Sequence, residues 1–222
     1  MHLSRLPRIW LATVTLSVLT GCASNSSDAA TPAASTASDA DLLARVRNAL
    51  DSCDAQAVNE SIGAILRDED AADIVLYLAE QWEAGSAGDK WSCVRRPLVR
   101  AYLANTLAQA YGNKIVLGVN IQSIREALRE GVASTTDEVA SLSITGLDYV
   151  AEPADLRLFE QIAMGKNTFR RGDALTALSS QCSDEAASTL DRLERALSDA
   201  NVAEVRKKFA FMKEARCRQR GA

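Results

Sequence analysis

The chain has 222 residues, of which 47% are hydrophobic, 24% charged and only 5% aromatic, with four prolines and a formal net charge of −4. This is the balance of a globular protein rather than a disordered one, and the length allows one large domain or two small ones. The mildly acidic charge argues against nucleic acid as a main partner, because phosphate binding needs a basic surface, and an aromatic-poor chain rich in alanine and leucine speaks against a β-sandwich.

At the N-terminus Arg5 and Arg8 precede an apolar run over residues 9–19, broken only by Thr13, Thr15 and Ser17. A basic region followed by a short apolar one is the pattern of a secretory signal peptide, and the run falls short of the roughly 20 apolar residues that span a bilayer. The next residues, Leu19-Thr20-Gly21-Cys22, resemble the bacterial lipobox. The resemblance implies that residues 1–21 are removed and that Cys22 is lipidated. With Ala23 rather than an aspartate following, it also implies an anchor in the outer membrane and a domain facing the periplasm. More than one acyl chain is needed for stable anchoring. Residues 22–38, rich in Ser, Ala and Thr and without a large apolar side chain, read as a flexible tether. The folded domain is expected over residues 39–222.

Removing the leader takes away Arg5 and Arg8, leaving 23 basic against 29 acidic residues and a formal charge of −6. It also removes His2, the one histidine. A mature chain without imidazole excludes Ser-His-Asp and Cys-His catalysis and histidine-ligated zinc. No cofactor is implied.

Apolar residues recur at intervals of three and four through the domain, which is the helical period. Leu43, Val46 and Leu50 open the series, followed by Val58, Ile62 and Ile65, then Ile74, Leu78 and Trp82. Pro97 suits the first turn of a helix carrying Leu98, Tyr102, Leu103 and Leu107, where its missing N–H costs nothing. Residues 112–120 place β-branched side chains between glycines and read as a loop or a short strand. Ile121, Ile124 and Leu128 mark a helix expected to end at Gly131. Asp137 is positioned to cap the next, with Val139, Leu142, Leu147 and Val150 on it and Pro153 stopping it. Leu156, Phe159 and Ile162 follow, then Phe169, Leu175 and Leu178. Ser183 suits the cap of a helix with Ala186, Leu190, Leu193 and Leu197, and Val202, Val205, Phe209 and Met212 close the series. Short turns between such helices predict antiparallel hairpins.

A shift of 36 residues places Phe169, Arg170, Ala174 and Leu175 on Val205, Arg206, Ala210 and Phe211, so the hairpins are expected to repeat and stack. The stretches 137–140 and 146–153 (Gly-Leu-Asp-Tyr-Val-Ala-Glu-Pro) resemble the HEAT-like repeat of phycocyanobilin lyases, and residues 196–206 resemble that repeat's inter-helix turn. The resemblance is clearest over residues 119–216. It implies an all-α fold, antiparallel helical hairpins stacked as a short HEAT-like α-solenoid, with Asp199 and Arg206 tying a turn to the next helix. It carries no lyase activity, since a repeat is an architecture and not a chemistry. A closed helical bundle is the rival architecture for the N-terminal half.

With Cys22 lipidated, Cys53, Cys93, Cys182 and Cys217 remain, and an even count in an exported domain reads as disulfides. Three pairings are possible. Chain order favours Cys53 with Cys93 and Cys182 with Cys217, each closing a loop of about 40 residues worth roughly 4 kcal/mol in the chain-entropy model. No pair has C-x-x-C spacing, so a zinc site is not expected.

Other candidates have plainer readings. Glu60-Ser61, with residues 110–113 (Ala-Tyr-Gly-Asn), is similar to elements of lytic transglycosylases, whose acid needs a raised pKa in a cleft, but an exposed helix face accounts for Glu60 as well. Asp68, Glu69, Asp70 and Asp73 lack the EF-hand glycine and suit a helix's first turn. Arg206, Lys207, Lys208, Lys213, Arg216, Arg218 and Arg220 suit the end of a last helix. Trp82 and Trp91 flank a glycine-bearing turn, and burial in the stack is the expected fate. The sequence therefore predicts no catalytic residue and no metal site. It predicts a non-enzymatic lipoprotein that binds another protein as an envelope scaffold or adaptor. The alternative is an immunity protein neutralising a periplasmic effector, and the distant one is a peptidoglycan-cleaving enzyme using Glu60.

Overall fold

The structure, a computed structural model, describes residues 39–65, 72–87, 93–115, 118–197, 202–203 and 205–206. Among these the chain is all helical and carries no strand. The elements are α1 (Asp39–Ser52), α2 (Ala55–Ile65), α3 (Ala72–Ala87), a single 3-10 turn (Cys93–Arg95), α4 (Pro97–Gly112), α5 (Ile121–Val132), α6 (Asp137–Val150), α7 (Pro153–Met164), α8 (Thr168–Ser180) and α9 (Asp184–Leu197). Asp199, expected above in an inter-helix turn, lies outside the described residues.

Short polar side chains set the helix starts by accepting from otherwise unpaired N–H groups. The Asp54 carboxylate takes the N–H of Gln56 at 2.9 Å, and Asn120 takes that of Gln122 at 3.0 Å. Asn167 takes Phe169 and Arg170 N–H at 3.0 and 3.2 Å, and Ser183 takes Ala186 N–H at 3.1 Å, as the sequence predicts for Ser183. Pro97 and Pro153 occupy first turns. Residues 113–115 and 118–120 form a loop, with Lys114 at φ 68° and Gly118 at φ 65°, so the short-strand option falls away there.

The helices pack as antiparallel hairpins. α1 lies on α2, both α2 and α3 pack on α4, α4 packs on α5 and α6, α6 on α8, and α7 on α8 and α9. Fully buried Leu50, Leu78, Trp82, Leu103, Leu107, Leu128, Ile144, Leu147 and Phe159 fill the seams. Polar bonds fix each helix to the one two places on. The Trp82 indole N–H of α3 donates to Ser123 Oγ of α5 at 2.9 Å, and the Tyr102 hydroxyl of α4 donates to Glu138 of α6 at 2.6 Å. Asp137 at the start of α6 accepts from Asn167 and Arg170 at the start of α8, at 2.9 and 2.7 Å. Asp148 near the end of α6 accepts from Ser180 and Gln181 at the end of α8, so α6 and α8 run parallel. Arg192 of α9 holds Glu160 of α7 through two bonds, at 2.9 and 3.0 Å.

Among the described residues the helices repeat with a step of 31 residues. α6 and α8 start 31 residues apart, at Asp137 and Thr168, as do α7 and α9, at Pro153 and Asp184. Buried positions follow the same step: Ile124, Asp155 and Ala186 are equivalent, as are Leu128, Phe159 and Leu190, and Leu147 and Leu178. The 36-residue shift compared α8 with residues 205–211, most of which lie outside the described residues. It also relied on Phe169, which is 60% exposed and no core residue.

Two further expectations are corrected. Gly131 does not end α5, which runs on to Val132. Its role is close approach, since a Cβ there would collide with the Ser143 hydroxyl of α6 and come within 2.9 Å of Ser143 Cβ. Asp137 does not cap α6, whose N-cap is Thr136; its carboxylate reaches across to α8 instead.

Gly146 marks a close crossing of α6 with α4 and α5. A Cβ would lie 2.8 Å from Leu128 Cδ2 and 2.9 Å from the Asn105 Cα, a backbone atom that cannot move aside cheaply. At Gly172, on the open face of α8, a Cβ meets nothing within 4 Å. Gly146→Ala is therefore expected to destabilise the domain by about 1–3 kcal/mol through overpacking. Gly172→Ala is expected to stabilise it by up to about 1 kcal/mol through helix propensity. Denaturant midpoints of the two variants should move in opposite directions.

Candidate functional site

α4, α5 and α6, with the 3-10 turn ahead of α4, enclose a pocket of about 290 Å³. Pro97, Ala101, Ala127 and Val139 form its apolar wall, and the polar lining comes from Arg95, Arg100, Glu130, Ser134 and Ser143. Each position follows from the fold. Arg100 lies one turn into α4, and its guanidinium sits over the Trp82 ring, 4.9 Å from the centroid. Trp82 is fully buried and bonded to Ser123, so this aromatic platform is fixed. A cation held over an aromatic face by the ring's electrons does not use up its N–H donors in that contact, and Arg100 makes no ion pair among the described residues. Glu130, near the end of α5, also lines the pocket, and no ion pair joins it to Arg100. Ser143, 1% exposed, has a hydroxyl with no hydrogen-bond partner. Gly131 beside it leaves the space that this hydroxyl occupies.

Of the residues singled out in the sequence, Cys53 and Cys93 are brought together as a disulfide with Cα atoms 5.1 Å apart, linking the α1–α2 turn to the 3-10 turn. Arg96 also donates to the Cys53 carbonyl at 3.0 Å. Cys182 is disulfide-bonded and Cys217 lies outside the described residues, as do Cys22, Asp199, Trp91, residues 68–70 and the basic run after Arg206. Arg206 pairs with Asp191 and, at 2.9 Å, with Glu194, both on α9. Trp82 is buried. Glu60 is exposed on α2 and accepts from Gln56 one turn earlier at 3.0 Å, so it lies on a helix face and not in a cleft. Asp73 is in the first turn of α3. Among the described residues no cluster of metal-ligating side chains occurs, and no helix is long and apolar enough to cross a membrane.

The sequence reading missed the strongest electrostatic node. Asp155, at the start of α7, is 2% exposed. Arg129 of α5 clamps its two oxygens at 2.7 and 3.0 Å and reaches Glu152 at 2.8 Å. Arg125, one turn earlier, bonds the Val150 carbonyl and Glu152, each at 2.9 Å. The Asp155 hydrogen bond, ahead of the opposing effect of burial, drives the Arg129 pKa further above its ordinary value. Arginines four apart on a helix, and Glu-Pro-x-Asp at the start of another, were visible as separate local patterns; their pairing was not.

Compared with protein-family models, curated proteins and solved structures, the chain matches none.

One buried carboxylate works against the fold. Asp173 of α8 is half-buried, its Oδ2 is buried without a partner, and burial raises its pKa against the opposing hydrogen bond from Ser141. A raised folded-state pKa means that the contribution from its protonated form is complete below the ordinary value of 3.8 and is lost as pH rises through the folded value. Asp173→Asn, which stays neutral, is expected to be more stable than the parent at pH 7 and to lose that advantage below about pH 4. Urea midpoints at the two pH values measure the difference.

Proposed function

We propose that the protein is a lipid-anchored lipoprotein, held at the outer membrane through Cys22 and facing the periplasm, whose helical stack binds another protein as a scaffold or adaptor and performs no catalysis. The observation that carries this reading is the turn between α7 and α8. Met164, the last residue of α7, and Phe169, the second of α8, flank it and are 50% and 60% exposed. Single exposed apolar residues are normal, whereas two large ones flanking one short turn resemble an anchor for a partner. The turn is held in shape: Arg171 donates to the Ala163 and Gly165 carbonyls at 3.0 and 2.8 Å, and Asn167 caps the helix that follows. Ordering costs that would weaken binding are thus largely met before a partner arrives.

The HEAT-like likeness belongs to the same proposal. A 31-residue repetition of buried positions supports it, and stacked hairpins of this kind present extended faces suited to proteins. The lipobox supports the anchor, and the loss of His2 with the leader supports a non-catalytic role.

The test is affinity capture from envelope extract with the parent chain and the double variant Met164→Ser, Phe169→Ser. One dominant stoichiometric protein is expected with the parent and should be depleted about tenfold or more with the variant, as for loss of a binding hot spot. Equal recovery by both chains, or no protein from either, would overturn the reading.

A further inference from the structure

We infer that the pocket between α4, α5 and α6 binds the zwitterionic head of a small amino acid or dipeptide, with the carboxylate on Arg100 and the ammonium on Glu130. This site is separate from the α7–α8 turn and does not depend on the protein-binding reading. Two opposite charges line one pocket of about 290 Å³ without forming an ion pair, so a ligand carrying the complementary pair closes both interactions at once. The positive end is built rather than incidental. The Arg100 guanidinium carbon lies over the Trp82 ring, 4.9 Å from its centroid, and Trp82 is itself fully buried and hydrogen-bonded, so the cation has a fixed aromatic platform before a ligand binds.

The floor carries a second, independent feature. The Ser143 hydroxyl is buried without a partner, a state that costs free energy unless something supplies an acceptor. A carboxylate oxygen is such an acceptor. Pro97, Ala101, Ala127 and Val139 offer only small apolar surfaces, suited to a short aliphatic side chain. The volume is at the lower edge of the roughly 300–1,000 Å³ typical of ligand pockets, which selects a ligand of one or two residues.

Isothermal titration of the full chain in detergent with L-alanine and L-alanyl-L-alanine tests this, with sodium acetate and methylammonium chloride as half-ligands. Saturable binding of at least one zwitterion is expected, tighter than either half-ligand. Arg100→Met, which keeps packing on Trp82 but removes the charge, should weaken zwitterion binding about tenfold or more, as for a lost charge-assisted hydrogen bond. Glu130→Gln should weaken it similarly while leaving acetate binding unchanged. Both variants should unfold at the parent's denaturant midpoint, since they alter partly or fully exposed side chains. No saturable zwitterion binding, equal affinity for acetate and zwitterion, or zwitterion binding indifferent to both substitutions would each overturn the inference.

Discussion

At one step of the repeat, a position that is apolar in the neighbouring units is held by a carboxylate. Ile124 of α5 and Ala186 of α9 are buried at the equivalent place, and between them stands Asp155 of α7, 2% exposed. A buried carboxylate is tolerable only if its charge is met and its oxygens are bonded. Arg129 supplies two bonds and the Glu152 N–H a third, at 2.8 Å. The same carboxylate therefore starts α7 and fastens it to α5. Arg125 and the Val150 carbonyl fix the end of α6 in the same place, so three helices take their relative positions from one charged knot.

From that knot the stack extends by repeated contact between helices two places apart. Apolar side chains fill the seams, while the closest crossings need small residues. Gly146 lies where α6 meets α4 and α5, and Ala177, 31 residues later, is buried in the equivalent place on α8. Polar ties between helices, from Asp137 to α8 and from Glu160 to Arg192, set the register between units rather than supplying much energy, since exposed pairs are worth little. In the N-terminal half the Cys53–Cys93 disulfide links α1 and α2 to the start of α4, the helix that α2, α3, α5 and α6 all touch.

Much of this was legible in the sequence because burial on one helix face imposes a period that survives in the residue order. The series from Val46 to Leu193 is buried nearly throughout, and Ser183 and Pro97 start helices as their chemistry dictates. The failures share a cause: local signals acquire their meaning from a neighbouring helix. Gly131 carries the mark of a helix end, yet its missing side chain makes room for Ser143. Asp137 has the look of a cap, but Arg170 and Asn167 of α8 claim its carboxylate. The pocket was invisible for the same reason, since Arg100 and Glu130 are 30 residues apart and each passes for an ordinary surface charge.

The arrangement thus rests on whether Asp155 and Arg129 act as a coupled pair that joins α7 to α5. A double-mutant cycle in urea at pH 7, using Arg129→Met, Asp155→Leu and the double variant, measures this directly. Arg129→Met should be the most damaging change, because it strands a buried charge, and the double variant should recover part of the loss. A coupling of about 1–3 kcal/mol is expected for a contacting pair of this kind. Additive effects, with coupling below about 0.5 kcal/mol, would contradict the clamp as the feature on which the stack depends.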